Sequence, residues 1–253
     1  MFLNYKGIQY VPHHINISEN ANISEYFLGI NPRGLVPVLV HDGSVHIESN
    51  DILVYLEDLF PEPALIPTAA RDEISRLLRH ENDLHLDLRT ISFRFLIAPV
   101  RPPKSSDDLD RYGRLGTGTV GGVPDKRLDV EIEFWRDVAE TGISNGAAQS
   151  AALKFQEAFT ELDRRLSGQP YFMGKTLSVL DIAWLVYVNR LDLAGYPLAA
   201  LHPRLAAWAS RLSQHPAFKD ELALPPDLVQ LVARRRQALE LAGGTLVQVC
   251  NLS

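Results

Sequence analysis

Asn31-Pro32-Arg33-Gly34-Leu35-Val36-Pro37-Val38-Leu39, followed after a short turn by Glu48-Ser49, is the stretch on which the reading of this chain depends. Val36-Pro37 stands at the head of a strand. An X-Pro bond there is a candidate cis peptide, because proline cuts the trans preference to about 0.5–1 kcal/mol. Such a bond turns the Val36 N–H and C=O outward, as an edge that an extended ligand can pair with by strand-like hydrogen bonds. Ser49 lies at a helix N-terminus, where free N–H groups and the helix dipole attract a carboxylate. Glu48 beside it can accept from an ammonium group. A ligand with a peptide-like backbone and an amino-acid end satisfies all three features. The plainer reading, in which Val36-Pro37 shapes a turn and Ser49 caps a helix, needs no ligand.

Outward from this stretch, Tyr10 to Ile17 partly alternates apolar and polar and is expected to form a strand. Val36 to Val40 is expected to form a second, and the Asp42-Gly43 turn signal returns the chain through Val45 to Ile47 as a hairpin. Ile52, Leu53, Leu56, Leu59 and Phe60 recur at helical spacing until Pro61 and Pro63 stop the helix. Residues 63–68 read as a linker, which divides the chain into an α/β domain over 1–62 and an all-helical domain over 69–225, with a helical extension and tail over 226–253. Helices are expected over Arg71 to Leu96, ended by Pro99, Pro102 and Pro103, and over Leu128 to Thr141, Ala147 to Leu166, Thr176 to Ala194, Pro203 to Gln214 and Asp227 to Ala242. Lys104 to Lys126 is polar and Gly-rich and is expected to be the least ordered interior stretch.

Composition bounds the function. The 253 residues are 46% hydrophobic and 22% charged, an ordinary globular balance. The formal net charge of −6 offers no general attraction to nucleic acid or to anionic lipid. No window approaches the roughly 20 apolar residues that span a bilayer, and the first residues lack the pattern of a secretory signal. The single cysteine, Cys250, excludes an intrachain disulfide and a Cys-based metal cage, so a reducing, cytoplasmic setting is expected. No metal site is expected either. His80 and His85 are five apart and miss the i, i+4 spacing of a metal helix, and His13 and His14 point to opposite faces of a strand. Gly116-Thr117-Gly118-Thr119-Val120-Gly121 matches a phosphate-binding pattern in letters only and reads as a flexible loop. Arg234-Arg235-Arg236 reads as a solvated helix face.

Ser178-Val179-Leu180-Asp181 places a hydroxyl at an N-cap and a carboxylate three residues later, with Leu177 and Ile182 spaced as a hydrophobic staple. Capping explains that spacing, and a structural role is expected for Ser178 and Asp181.

The pattern Asn31-Pro32-x-Gly34-x-Val36-Pro37-x-Leu39, with Glu48-Ser49 and Tyr55-Leu56, resembles the thioredoxin-like domain of cytosolic glutathione S-transferases of bacterial type. Phe172 to Ala183 resembles the capping-box segment of their all-helical domain, and His215-Pro216-Ala217-Phe218 resembles its late helix-end motif. The resemblance implies a thioredoxin-like α/β domain joined to an all-α domain, with glutathione as co-substrate in the cleft between them and its thiol transferred to a hydrophobic electrophile. It implies that Val36 pairs with the cysteinyl part of glutathione, that Pro37 is cis, and that Glu48 and Ser49 hold the γ-glutamyl end. It implies a homodimer as well. Asn31 to Gly34, His41 to Gly43 and Tyr55 to Pro61 look similar to the β-aryl-etherase branch. The Gly-rich insert before a long helix is similar to the reductive dehalogenase branch. The helix carrying His80 to His85 is the one that, by the resemblance, lines the pocket for the electrophile.

Two departures stand against this pattern. Leu35 replaces the Lys or Gln that contacts the tripeptide in many relatives. The first strand and most of the first helix are missing ahead of Lys6-Gly7, and with them the Ser, Tyr or Cys that holds the glutathione sulfur as thiolate; Asn4 and Tyr5 come too late to replace it. The catalytic residue is therefore unknown. An unpaired sheet edge is expected, together with an alternative reading as a non-catalytic binding or dimerisation protein with this fold.

Overall fold

The computed structural model describes residues 1–97 and 104–252. In chain order, α1 (Phe2–Lys6) precedes an extended segment, the short turns Ile17–Glu19 and Ala21–Ile23, α2 (Glu25–Ile30), β1 (Val38–His41), β2 (Ser44–Ile47) and α3 (Ser49–Leu59). Then come α4 (Arg71–Asp83), α5 (His85–Ile91) with a π-turn over Ser92–Leu96, α6 (Ser106–Leu115), β3 (Thr119–Val120), β4 (Val123–Pro124) and α7 (Arg127–Thr141). The remainder is helical: α8 (Asn145–Arg165), α9 (Val179–Leu193), α10 (Leu198–Leu201), α11 (Pro203–Ser213), α12 (Lys219–Leu222), α13 (Pro226–Leu241) and α14 (Leu246–Cys250). A small antiparallel sheet with helices precedes a helical remainder.

β1 and β2 pair in antiparallel register, Val38 with Ile47 and Val40 with Val45. Asp42 (φ 47°) and Gly43 (φ 77°) both turn left-handed, the mirror-image turn whose twist matches the strands it joins. Several expectations are corrected. Tyr10 to Ile17 forms no strand: Pro12 donates no N–H, and among the described residues no neighbouring strand offers partners. The helix expected over Arg71 to Leu96 breaks at Leu84 between α4 and α5. Pro99, Pro102 and Pro103 lie outside the described residues. The stretch from Lys104 to Lys126 carries regular structure, with Leu109 and Tyr112 burying one face of α6. What read as a flexible glycine loop is the hairpin β3–β4, turning at Gly121 (φ 58°) and Gly122 (φ 79°). Of the three arginines expected to be solvated, Arg234 and Arg236 are exposed, while Arg235 is half-buried and donates from Nη2 to Arg94 O at 3.0 Å.

The chain forms two compact units, one of Met1–Tyr10, Leu56–Ala98 and Ser144–Ser253, the other of Val11–Tyr55 and Pro99–Ile143. The division between the compact units falls inside α3.

In the first unit Asp181 has no exposed surface. Its Oδ2 accepts from the Ser178 N–H (2.9 Å) and hydroxyl (2.7 Å), and its Oδ1 from the Phe172 N–H (3.1 Å) and Trp208 Nε1–H (3.0 Å). Ser178 and Asp181 form the capping box of α9. Burial pushes the Asp181 carboxyl up, against the donors that pull it down. Glu57 accepts from the Leu65 and Ile66 N–H groups (2.7 and 2.9 Å) and pairs with the buried Lys6 ammonium at 2.5 Å. Val179 N–H donates to Leu65 O at 3.0 Å, so the segment after α3 is tied to the start of α9.

In the second unit Ile23, Leu28, Tyr112 and Leu128 form the core, with Leu115 and Ile132 packed on it. Asp108 anchors the start of α6: it closes a reciprocal capping box with Ser105 and accepts from Asn20 Nδ2 at 3.1 Å. Partial burial raises the Asp108 carboxyl, but the Ser105 hydroxyl and N–H, with Arg111 and Lys104 nearby, outweigh it and hold the group below its ordinary range.

Two measurements check this description. Asp181→Ala orphans three buried N–H donors and is expected to cost roughly 3 kcal/mol or more in urea unfolding, whereas an exposed-site substitution stays within about 0.5 kcal/mol. The Asp108 cap has a depressed folded pKa, so its stabilisation is complete above the unfolded value near 3.9 and is lost as pH falls through the folded value. Amide-exchange protection of the first turn of α6, corrected for intrinsic rates, is expected to stay level from pH 7 to 5 and to fall below about pH 4.

Candidate functional site

The loop between α2 and β1 is braced by its own amides before any ligand is considered. Asn31, buried to 1% exposure, donates from Nδ2 to Leu35 O at 2.7 Å and accepts the Arg33 N–H at Oδ1 at 3.1 Å. Gly34 (φ 61°) donates its N–H to Asn31 O at 2.9 Å and accepts Asn22 Nδ2 at 2.7 Å. A Cβ at Gly34 would stand 3.0 Å from both Asn22 O and the Tyr112 ring, so the close approach and the positive φ both demand glycine. The Tyr112 hydroxyl donates to Arg33 O, clamping the loop from α6.

This bracing presents Val36. Its residue is 42% exposed, and among the described residues neither its N–H nor its C=O pairs with another backbone group. The Val36-Pro37 bond is cis. The β1–β2 ladder begins at Val38 opposite Ile47, so the chain leaves it at Pro37 on one side and at Glu48 on the other. Glu48 takes φ 65°, a left-handed conformation uncommon for a residue with a side chain, and its carbonyl accepts the Ile52 N–H at 2.9 Å as the first acceptor of α3. Glu48, not Ser49, therefore stands at the cap position, and Ser49 is the exposed first residue of the helix. Its position in the first turn leaves its N–H among those without an intrahelical partner.

Arg33 is the residue here to which sequence reasoning assigned no role. Its Nη1 meets Glu48 Oε1 at 2.5 Å and its Nε meets Asp125 Oδ2 at 2.6 Å. All three side chains are about four-fifths buried, with 19%, 24% and 18% exposed respectively. The Asp125 hydrogen bond raises the Arg33 pKa, and the Arg33 hydrogen bond holds the Asp125 carboxyl below its ordinary range. Arg33 stood within the quoted motif, but nothing in the sequence joins it to a carboxylate 92 positions later.

Other residues singled out in the sequence lie elsewhere. The Tyr5 ring packs on Phe218 (5.9 Å) and His215 (5.6 Å), and Asn4 Nδ2 donates to Glu221 at 2.9 Å, so both are engaged in the helical unit. His80 and Asp83 line an open cavity of about 400 Å³ whose other walls include Asp87, Lys154, Glu157 and Glu161. Burial pushes the Cys250 thiol up, away from reactivity. Among the described residues no group of His, Cys, Asp and Glu is arranged to hold a metal ion, and no helix is long and apolar enough to cross a membrane.

Comparison with known proteins bears on the family and the fold. Residues 1–59 match the family model of the glutathione S-transferase N-terminal domain, and residues 145–211 match that of the C-terminal domain. Protein LigF of Sphingobium sp. (strain NBRC 103272 / SYK-6) is 28% identical over 226 residues, covering 85% of this chain and 84% of LigF. A maleylpyruvate isomerase of Ralstonia sp. is 29% identical over 120 residues, 47% of this chain and 56% of that protein. The crystal structure of the beta-etherase LigF from Sphingobium sp. strain SYK-6 superposes with a TM-score of 0.71 at 26% identity, over 87% of this chain and 90% of that one. Poplar glutathione transferase F1 shares the fold, with a TM-score of 0.62 at 13% identity over 94% of this chain and 90% of its own. With both of its domains matched in order and a relative alike along most of its length, the chain belongs to the glutathione S-transferase family.

Proposed function

We propose that this chain binds glutathione on the edge formed by Val36, Glu48 and Ser49 and transfers its sulfur to a hydrophobic aryl ether. The observation that carries this reading is the exposed backbone edge at Val36, unpaired among the described residues, just ahead of a ladder whose other side runs past Ile47 into Glu48 at φ 65° and the start of α3. The cysteinyl backbone of glutathione pairs with Val36 as an added strand. The γ-glutamyl carboxylate meets the N–H groups and hydroxyl at Ser49, where the helix dipole favours negative charge. The γ-glutamyl ammonium meets Glu48 in a charge-assisted hydrogen bond.

The ether class is favoured by the likeness to LigF along most of both chains. In such a step a carbon–sulfur bond forms as the carbon–oxygen bond breaks, and the aryloxide leaves and takes a proton to become a phenol. No hydroxyl or thiol of this chain is assigned to hold the sulfur as thiolate. Tyr5, the nearest such group in sequence, is spent on packing. That observation favours a second reading, a non-catalytic glutathione-binding protein of the same fold. A homodimer in the cytoplasm completes the proposal on family likeness alone.

Calorimetry with glutathione on the parent, Glu48→Gln and Ser49→Ala tests the site. Binding by the parent that weakens about tenfold in Glu48→Gln and severalfold in Ser49→Ala is expected. No binding by the folded parent would overturn the assignment. Release of a phenol from a β-aryl ether, equal to the glutathione consumed, is expected of the catalytic reading. Binding without release would shift the weight to the non-catalytic one.

A further inference from the structure

Asp125 lies between residues 60 and 144, which neither family model matches, yet it reaches the loop that presents Val36. Its position is constrained from three sides. Its N–H donates to Gly118 O at 2.9 Å, closing the β3–β4 hairpin, and its Oδ1 accepts the Arg127 N–H at 3.3 Å at the start of α7. Its Oδ2 is thereby aimed at Arg33, whose other end holds Glu48.

We infer that Asp125 is a positioning residue for the ammonium end of the ligand: by occupying Arg33 it keeps that guanidinium from neutralising Glu48. The inference rests on the glutathione reading above. Glu48 and Arg33 alone sum to zero, a poor seat for a cation. Asp125 adds a second carboxylate, itself in the field of Arg127, so Arg33 is shared between two carboxylates and Glu48 Oε2 is left to accept an ammonium. The partial burial of all three side chains limits screening, so the extra negative charge is felt at the ligand. Asp125 need not touch the ligand, and its effect is confined to ligands that carry the amine.

The experiment is calorimetry of two ligands, glutathione and its analogue lacking the γ-glutamyl α-amino group, on the parent, Asp125→Asn, Asp125→Glu and Arg33→Gln. Asp125→Asn is expected to weaken glutathione about three- to tenfold and to leave the analogue unchanged. Asp125→Glu restores the parent affinity. Arg33→Gln tightens glutathione, because Glu48 loses its competitor, whereas a purely structural brace predicts weakening of both ligands there too. Equal loss for both ligands in Asp125→Asn, or no loss for either, overturns the inference while leaving the glutathione site standing. Failure of the folded parent to bind glutathione overturns that site and this inference with it.

Discussion

A carboxylate with no water around it must be given donors, and the helical unit is organised around meeting that demand. Asp181 takes four, from the cap residue Ser178, from the Phe172 backbone and from the Trp208 ring. Those donors come from the segment leading into α9 and from α11, so the first turn of α9 is buried only when both are in place. Asp163 repeats the solution at the start of α11, accepting the Arg204 and Leu205 N–H groups at 2.7 and 2.9 Å. Glu57 repeats it for the chain after α3, with Lys6 supplying the counter-charge. In each case a side chain satisfies backbone N–H groups that a helix end or a turn leaves without partners. An unpaired group in any of these places costs more than the pair contributes, so the contacts specify the arrangement more than they add stability.

The smaller unit uses its charges differently. Its loop from Asn31 to Pro37 is held by neutral hydrogen bonds, Asn31 to Leu35 O and Asn22 to Gly34 O, and by the Tyr112 hydroxyl. Its core is apolar, built from Ile23, Leu28, Tyr112 and Leu128. The loop thus keeps its shape without the charges of Arg33, Glu48 and Asp125. Those charges are at liberty to shape the field at the exposed Val36 edge.

Much of this was legible in sequence where the signal is local. Asp42-Gly43 announced its turn, and the Ser178 to Asp181 spacing announced its cap, because two or three residues suffice to define either. The helices over 127–141, 145–165 and 203–213 followed from apolar spacing to within a few residues. Failures came where the deciding partner is remote. Tyr10 to Ile17 alternates like a strand, but a strand is made by its neighbour, and alternation says nothing about whether one is there. The stretch from Lys104 to Lys126 reads as polar because α6 buries only one face, against residues some 80 positions earlier in the chain. In the candidate site, the loop and the start of α3 were readable from the motif itself. The pairing of Arg33 with Asp125 was not, since no periodicity or spacing connects them.

That unreadable pairing bears on what the site is for. An ion pair taken largely out of water loses in desolvation much of what its attraction gains, so its net contribution to stability is small. Arg33, Glu48 and Asp125 are in that position, with about four-fifths of each side chain buried. Their contribution to holding the fold is correspondingly small, and the neutral hydrogen bonds around Asn31 and Gly34 already do that work. What the three charges do control is the sign of the potential beside Val36, which a single guanidinium next to Glu48 would cancel. Placing the second carboxylate on a separate hairpin, fixed by its own backbone bonds to Gly118 and Arg127, lets that potential be set without altering the residues that shape the ligand edge.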